Sequence, residues 1–163
     1  MKETTESELL NRMASLCSMK EYCIQEIRKK TETSGLSADA CERIINKLIA
    51  EKFIDEERYV RAYIKDKSNF NKWGRIKIKY ELIRKGITPA LSDTILGELD
   101  ENEYRKNLKE LLTQKKKSVR GKNAREVFVK LFRFAAGRGF ESSLISSCLK
   151  EILNPDADDT YLE

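Results

Sequence analysis

Residues 85–96 read KGITPALSDTIL, and this stretch decides the fold. Its glycine can take the left-handed backbone conformation that closes a helix, and the isoleucine after it can pack back on that helix. Its threonine is a favoured N-cap, and its proline suits the first position of a new helix. The stretch therefore predicts one helix that ends near residue 85 and another that begins near residue 88.

The same pattern occurs twice more, at GLSADACERII (35–45) and at GFESSLISSCL (139–149). After each glycine, apolar residues recur at fixed offsets and with the period of an α-helix. The matched positions include Ala40/Leu91/Leu144, Ile44/Ile95/Cys148 and Ile45/Leu96/Leu149. Because each interval between the glycines holds two clear helices and room for a third, the sequence predicts tandem three-helix repeats.

We predict an all-α protein in which three three-helix repeats form an elongated, curved array of nine helices. The repeats cover residues 1–54, 55–100 and 101–154, and an acidic tail covers 155–163. The expected helices lie near 5–15, 19–33, 37–52, 55–70, 73–85, 88–99, 101–117, 121–137 and 141–153.

The composition argues against catalysis. Histidine is absent from the 163 residues, which excludes imidazole-based acid–base chemistry and zinc sites that need imidazole. The cysteines Cys17, Cys23, Cys41 and Cys148 form no C-x-x-C pair, so we expect reduced thiols in the core. We therefore expect a protein that is not an enzyme and that has neither a metal nor a cofactor.

The chain has no apolar run of membrane-spanning length, and its first residues, MKETTESELL, are polar rather than signal-like. We expect a soluble, cytoplasmic monomer with no membrane partner.

Basic charge is concentrated in the second and third repeats. Residues 72–85 carry six basic side chains against Glu81, and residues 105–138 carry twelve against Glu110 and Glu126, whereas residues 1–54 are balanced. Such a field favours an acidic protein surface or nucleic-acid phosphates, although a solvated helix face would also account for it. The candidate partner-binding or nucleic-acid-binding residues are Lys72, Arg75, Lys77, Lys79, Arg84, Lys85, Lys116, Lys117, Arg120, Lys122 and Arg125.

Within the helix near 73–85, Arg75 and Lys79 are one turn apart and form an exposed stripe, with Ile76, Ile78 and Leu82 facing the core. On this interpretation, reversing both charges to glutamate leaves folding intact. We expect it to weaken partner binding more than reversals at Lys29 and Lys30 in the balanced first repeat.

Three other features have structural explanations. The only tryptophan could stack on a base or anchor a partner, but we expect it to be a packing residue. The acidic run 55–57 caps a helix rather than binding a metal, and Gly121-Lys122 lacks the upstream glycine of a phosphate-binding loop. The tryptophan and its expected neighbours are Trp73, Phe53, Tyr59, Tyr63 and Phe70.

Three motifs resemble those of the RecX family of recombination regulators. They are LCSMKEYC (16–23) followed by EIR (26–28), FIDEERY (53–59) with Ala62 behind it, and WG (73–74) with Ile78, EL (81–82) and KGI (85–87). The resemblance is sharp over residues 16–99 and rests on the repeat alone over 100–153. Met19 departs from the family, which more often has a basic residue there.

The resemblance implies tandem three-helix repeats that bind the RecA recombinase filament, lie in its helical groove and dampen its DNA-dependent activities. The alternative is a direct DNA-binding protein that uses its repeats without RecA, with DNA phosphates bound by the basic stripe. Dependence on RecA discriminates between the two.

Overall fold

Nine helices make up the regular structure of residues 3–153, the part of the chain that the computed structural model describes, and no strand occurs in that range. The predicted all-α fold is confirmed, and the helix bounds differ from the expected ones by a few residues. The helices are α1 (Glu6–Met19), α2 (Ile24–Glu32), α3 (Ala38–Ala50), α4 (Glu56–Asn69), α5 (Arg75–Arg84), α6 (Pro89–Leu96), α7 (Glu101–Lys116), α8 (Ala124–Gly137) and α9 (Ser142–Leu153). The predicted acidic tail, 155–163, lies outside the described residues.

The predicted helix starts are set by side-chain caps. Ser37 Oγ accepts from the backbone N–H of Ala40 at 3.1 Å, and Thr88 Oγ1 accepts from that of Leu91 at 3.2 Å. Asp55 caps α4 in the same way. Each cap satisfies one of the backbone donors that the first turn of a helix leaves without a partner.

The predicted glycine terminators have the expected conformation. Gly35, Gly86 and Gly139 have φ values of 86°, 83° and 93°, in the left-handed region. After α5, the N–H of Ile87 donates to the carbonyl of Leu82 at 3.1 Å, and the N–H of Gly86 donates to that of Ile83 at 3.0 Å. This is the hydrogen-bond pattern of a Schellman cap, and the buried isoleucine packs back as the sequence predicts.

The matched repeat positions form buried cores. At the two offsets where all three copies are buried, the residues are Ile44, Ile95, Cys148, Ile45, Leu96 and Leu149. All four cysteines are buried and free, as expected for core thiols.

The chain divides into two compact units, one of residues 1–63 and 82–92 (unit 1) and one of 64–81 and 93–163 (unit 2). Helices α4, α5 and α6 each contribute residues to both units. In unit 1, α1 and α2 pack against α3 around a core of Leu9, Met13, Cys17, Ile27, Ile44, Ile45, Leu48 and Ile54.

In unit 2, α7, α8 and α9 pack on one another around Tyr104, Leu108, Leu112, Phe128, Leu131, Ala135, Phe140, Ile145, Cys148 and Leu149. The start of α5 is hydrogen-bonded to the turn between α8 and α9. There the N–H of Gly74 donates to the carbonyl of Arg138 at 2.8 Å, and the N–H of Ile76 donates to that of Gly139 at 3.0 Å.

Two packing expectations in this region were wrong. Ile76 is 58% exposed rather than core-facing. It lies two positions before the buried Ile78, and a step of two positions along an α-helix leads to nearly the opposite face. Phe70, just beyond the end of α4, is 82% exposed and does not cover Trp73. The half-buried indole instead has the ammonium groups of Lys67 and Lys77 over it, at 5.0 and 4.5 Å from the ring centroid.

Candidate partner-binding surface

Arg75 holds helices of unit 2 together. Its guanidinium donates to Glu141 at 2.7 Å and to Glu101, and it lies 3.9 Å from the ring centroid of Tyr104. Tyr104 in turn donates to Glu141, so the contacts form a closed network at the start of α5. With its side chain only 20% exposed, Arg75 is not the solvent-facing stripe residue that we expected, and reversing its charge would disrupt this network.

The ionisation of this network follows from its geometry. Burial by itself lowers the pKa of Arg75, but the hydrogen bond and the charge of Glu141 outweigh burial, and the net shift is upward. Burial and the hydrogen bond to Glu141 both raise the pKa of Tyr104. The guanidinium therefore stays charged and the phenol stays protonated, which keeps every hydrogen bond of the network in place.

Two other candidate binding residues also have acidic partners. Lys72 donates to Asn107 at 3.0 Å and to Glu110 at 3.1 Å, and Lys79 pairs with Asp93 at 2.8 Å. Since these carboxylates lie on α6 and α7, the lysines link α5 and the turn before it to those helices.

The last two candidate residues of this region, Arg84 at the end of α5 and Lys85 after it, belong to unit 1. Lys85 pairs with Glu26 at 3.5 Å. Arg84 is exposed but also interacts with another residue. The predicted basic residues are therefore divided between the two units, and several of those in unit 2 are paired with carboxylates.

The turn between α7 and α8 has a different character. Residues 115–125 contain six basic side chains and no acidic one. The five predicted residues in this turn and at the adjoining helix ends are all exposed: Lys116, Lys117, Arg120, Lys122 and Arg125. We call these five the α7–α8 basic loop.

The basic loop carries little internal compensation. Lys117 donates to the neutral amide of Gln114 at 3.4 Å. In the part of the chain that the structure describes, no carboxylate contacts the side chain of any of the five. Their charge is consequently available to a partner, in contrast to that of Arg75 or Lys79.

The backbone of the basic loop is anchored. Val119 is half-buried and packs against the core of unit 2, and the carbonyl of Arg120 accepts a hydrogen bond from Lys130. A Cβ at Gly121 would lie 2.8 Å from Val127 Cγ2, so glycine permits the close approach of the loop to α8. An anchored backbone reduces the conformational entropy that the loop would lose on binding.

Sequence reasoning missed one basic cluster because it counted charge by segment. Lys20, Lys29 and Lys30 lie in the balanced first repeat, yet they line one cleft together with Tyr22. Their acidic neighbours in the sequence pair with cations from other segments. The uncompensated charge of the three lysines is therefore visible only in the folded structure.

Within residues 3–153, no group of histidine, cysteine, aspartate or glutamate side chains is arranged to hold a metal ion. None of the helices described there combines the length and apolarity required to cross a membrane.

The fold defines a class: all-α proteins built of repeated helical units. A family model, RecX second three-helix domain, matches residues 55–96. This chain belongs to the RecX family.

Curated relatives support the assignment. The regulatory protein RecX of Clostridium acetobutylicum is 33% identical over 134 residues, covering 80% of this chain and 62% of the relative. That of Prosthecochloris aestuarii is 26% identical over 153 residues, covering 94% of this chain and 99% of the relative. The chain thus spans roughly three fifths of the clostridial relative's length.

Solved structures share the fold. The crystal structure of RecX from Lactobacillus salivarius superposes with a TM-score of 0.82 at 21% identity, over 90% of this chain and 96% of that one. A second RecX crystal structure gives the same TM-score at 23% identity, over 90% and 72%. At these identities the similarity establishes the fold alone.

Proposed function

We propose that this chain binds filaments of the RecA recombinase and inhibits their DNA-dependent activity in recombination and the DNA-damage response. Family membership supports the choice of partner, and the curated relatives are described as regulatory proteins. The chain would act in the cytoplasm as a monomer, as a binding protein and not as an enzyme.

The observation that carries the proposal is the α7–α8 basic loop. A nucleoprotein filament exposes phosphates and acidic side chains in its groove, and both attract exposed cations. The loop offers five exposed basic side chains on an anchored backbone, without acidic partners among the described residues. It would therefore make the main electrostatic contact.

The α5 residues would contribute indirectly. Lys72, Arg75 and Lys79 are held by carboxylates of unit 2, so their role would be to fix the helices that support the loop. Lys77 makes no ion pair in the described part of the chain and would add a secondary contact beside Trp73.

The proposal is tested by the ATPase activity of RecA on single-stranded DNA. Addition of the pure chain should lower the rate. Substitution of Lys116, Lys122 and Arg125 by glutamine (the loop variant) should relieve most of the inhibition. A matched control replaces three exposed basic residues elsewhere in unit 2, Lys65→Gln, Lys106→Gln and Arg133→Gln, and should inhibit like the unsubstituted chain.

Unchanged ATPase activity in the presence of the chain would contradict the proposal. The alternative, direct DNA binding without RecA, makes a different prediction. In that case the chain alone shifts naked DNA at about 0.15 M salt, with an affinity that falls steeply as salt rises.

A further inference from the structure

Unit 1 carries thirteen basic and twelve acidic side chains, but these charges are not evenly paired. Four of its carboxylates are each held by a cation from another segment: Glu6 by Arg43, Glu42 by Arg28, Glu21 by Arg58 and Glu26 by Lys85. These pairs occupy three arginines and one lysine, and other cations of the unit have no carboxylate partner. Lys20, Lys29 and Lys30 have no ion pair among the described residues.

These three lysines line one cleft of 470 Å³ around the ring of Tyr22. The ammonium groups of Lys20 and Lys30 lie 4.7 and 5.7 Å from the ring centroid. The electron-rich ring attracts both cations, so the aromatic side chain stabilises two ammonium groups beside it. Lys29 adds a third positive charge to the same cleft.

The remaining lining residues do not cancel this charge. Thr33 is neutral, and Glu26 is already occupied because it accepts from the N–H of Cys23 at 3.0 Å and pairs with Lys85. The Tyr22 hydroxyl makes no hydrogen bond within the described residues and is free to donate. The cleft therefore offers three ammonium groups and a phenol as hydrogen-bond donors.

We propose that this cleft binds closely spaced phosphate groups of a polyanion. Phosphate groups present several acceptor oxygens and no donor, which complements a set of donors, and lysine is a common phosphate ligand. Two sources share this chemistry, a single nucleic-acid strand and a free polyphosphate. The site lies in unit 1 and is independent of the proposed contact between RecA and the α7–α8 basic loop.

The test uses the full chain without RecA, in the background of the loop variant so that the α7–α8 basic loop contributes less to binding. Fluorescence anisotropy at low ionic strength follows binding of a labelled oligothymidylate, and a second titration follows inorganic tripolyphosphate. The cleft variant is Lys20→Gln with Lys30→Gln. The control, Arg12→Gln with Lys47→Gln, removes the same charge from exposed positions of unit 1 outside the cleft.

The cleft variant should bind oligothymidylate about tenfold more weakly, and the control should stay within about twofold. The salt dependence should also weaken, because each lost contact with a single strand lowers the slope of log K against log salt by about 0.7. If only the tripolyphosphate titration shows the loss, the cleft takes a free polyphosphate.

Two results would overturn the proposal. In one, the cleft variant and the control lose affinity equally in both titrations. In the other, a hexaglutamate peptide competes as well as tripolyphosphate, and the cleft is then not selective for phosphate. Thermal unfolding of both variants checks that these exposed substitutions leave the fold intact.

Discussion

Gly74 and Gly139 lie backbone against backbone in unit 2. A Cβ built on Gly74 would be 2.2 Å from the carbonyl oxygen of Gly139, and one built on Gly139 would be 2.4 Å from Lys77 Cβ. The two N–H groups at 74 and 76 donate to the carbonyls at 138 and 139, and these bonds depend on this close approach. The contact joins the start of α5 to the turn between α8 and α9.

Gly74→Ala should strongly destabilise the protein, because the new methyl group would collide with backbone that cannot move aside. We expect a loss of more than about 3 kcal/mol in the free energy of unfolding, measured with denaturant. Gly137→Ala, at the end of α8 with open space around it, is the matched control and should be neutral or stabilising by up to about 1 kcal/mol. Equal stability of the two variants would show that the glycine contact is not required.

Arg75→Glu should destabilise unit 2, although the sequence suggested an exposed and dispensable charge. The substitution removes the partner of Glu141 and places a third carboxylate beside Glu141 and Glu101. We expect a loss of about 3 kcal/mol in unfolding free energy. Lys79→Glu breaks only the exposed pair with Asp93 and should cost about 1 kcal/mol or less. Similar losses for both variants would argue against a structural role for Arg75.

Stability should fall in alkaline solution through Cys23. Burial raises the pKa of its thiol from 9.0 to about 11, so the unfolded chain loses this proton first as the pH rises. The contribution is fully present below about pH 9 and is lost as the pH rises towards 11, and the loss amounts to roughly 2 kcal/mol at about pH 10.5. Comparing unfolding free energies at pH 8 and 10.5 should show a smaller fall for Cys23→Ala than for the unsubstituted chain, and an identical fall would exclude this cause.

Local signals made the helices predictable. Ser37 and Thr88 cap helices where the sequence places them, and Gly35, Gly86 and Gly139 adopt the left-handed conformation at the three predicted stops. Caps and terminators act within a few residues, so their chemistry can be read from neighbours in the chain. The repeat followed from the same positions.

The state of the basic residues was less predictable, because ion pairs join distant segments. Arg75 lies 66 residues from Glu141 in sequence, and a search for acids one helical turn away does not find such a partner. The sequence therefore identified the basic loop but could not separate it from the paired lysines of α5. The same limitation concealed the lysine cleft of unit 1, because the neighbouring acids Glu21 and Glu26 pair with Arg58 and Lys85.

The most direct test of the account is the affinity of the chain for RecA filaments assembled on single-stranded DNA, measured by co-sedimentation. The loop variant should bind at least about tenfold more weakly than the unsubstituted chain, since three exposed charge contacts are lost, and binding of both should weaken as salt rises. The matched control at Lys65, Lys106 and Arg133 should bind almost normally. An equal loss of affinity in the loop variant and the control would contradict the assignment of the α7–α8 basic loop as the contact surface.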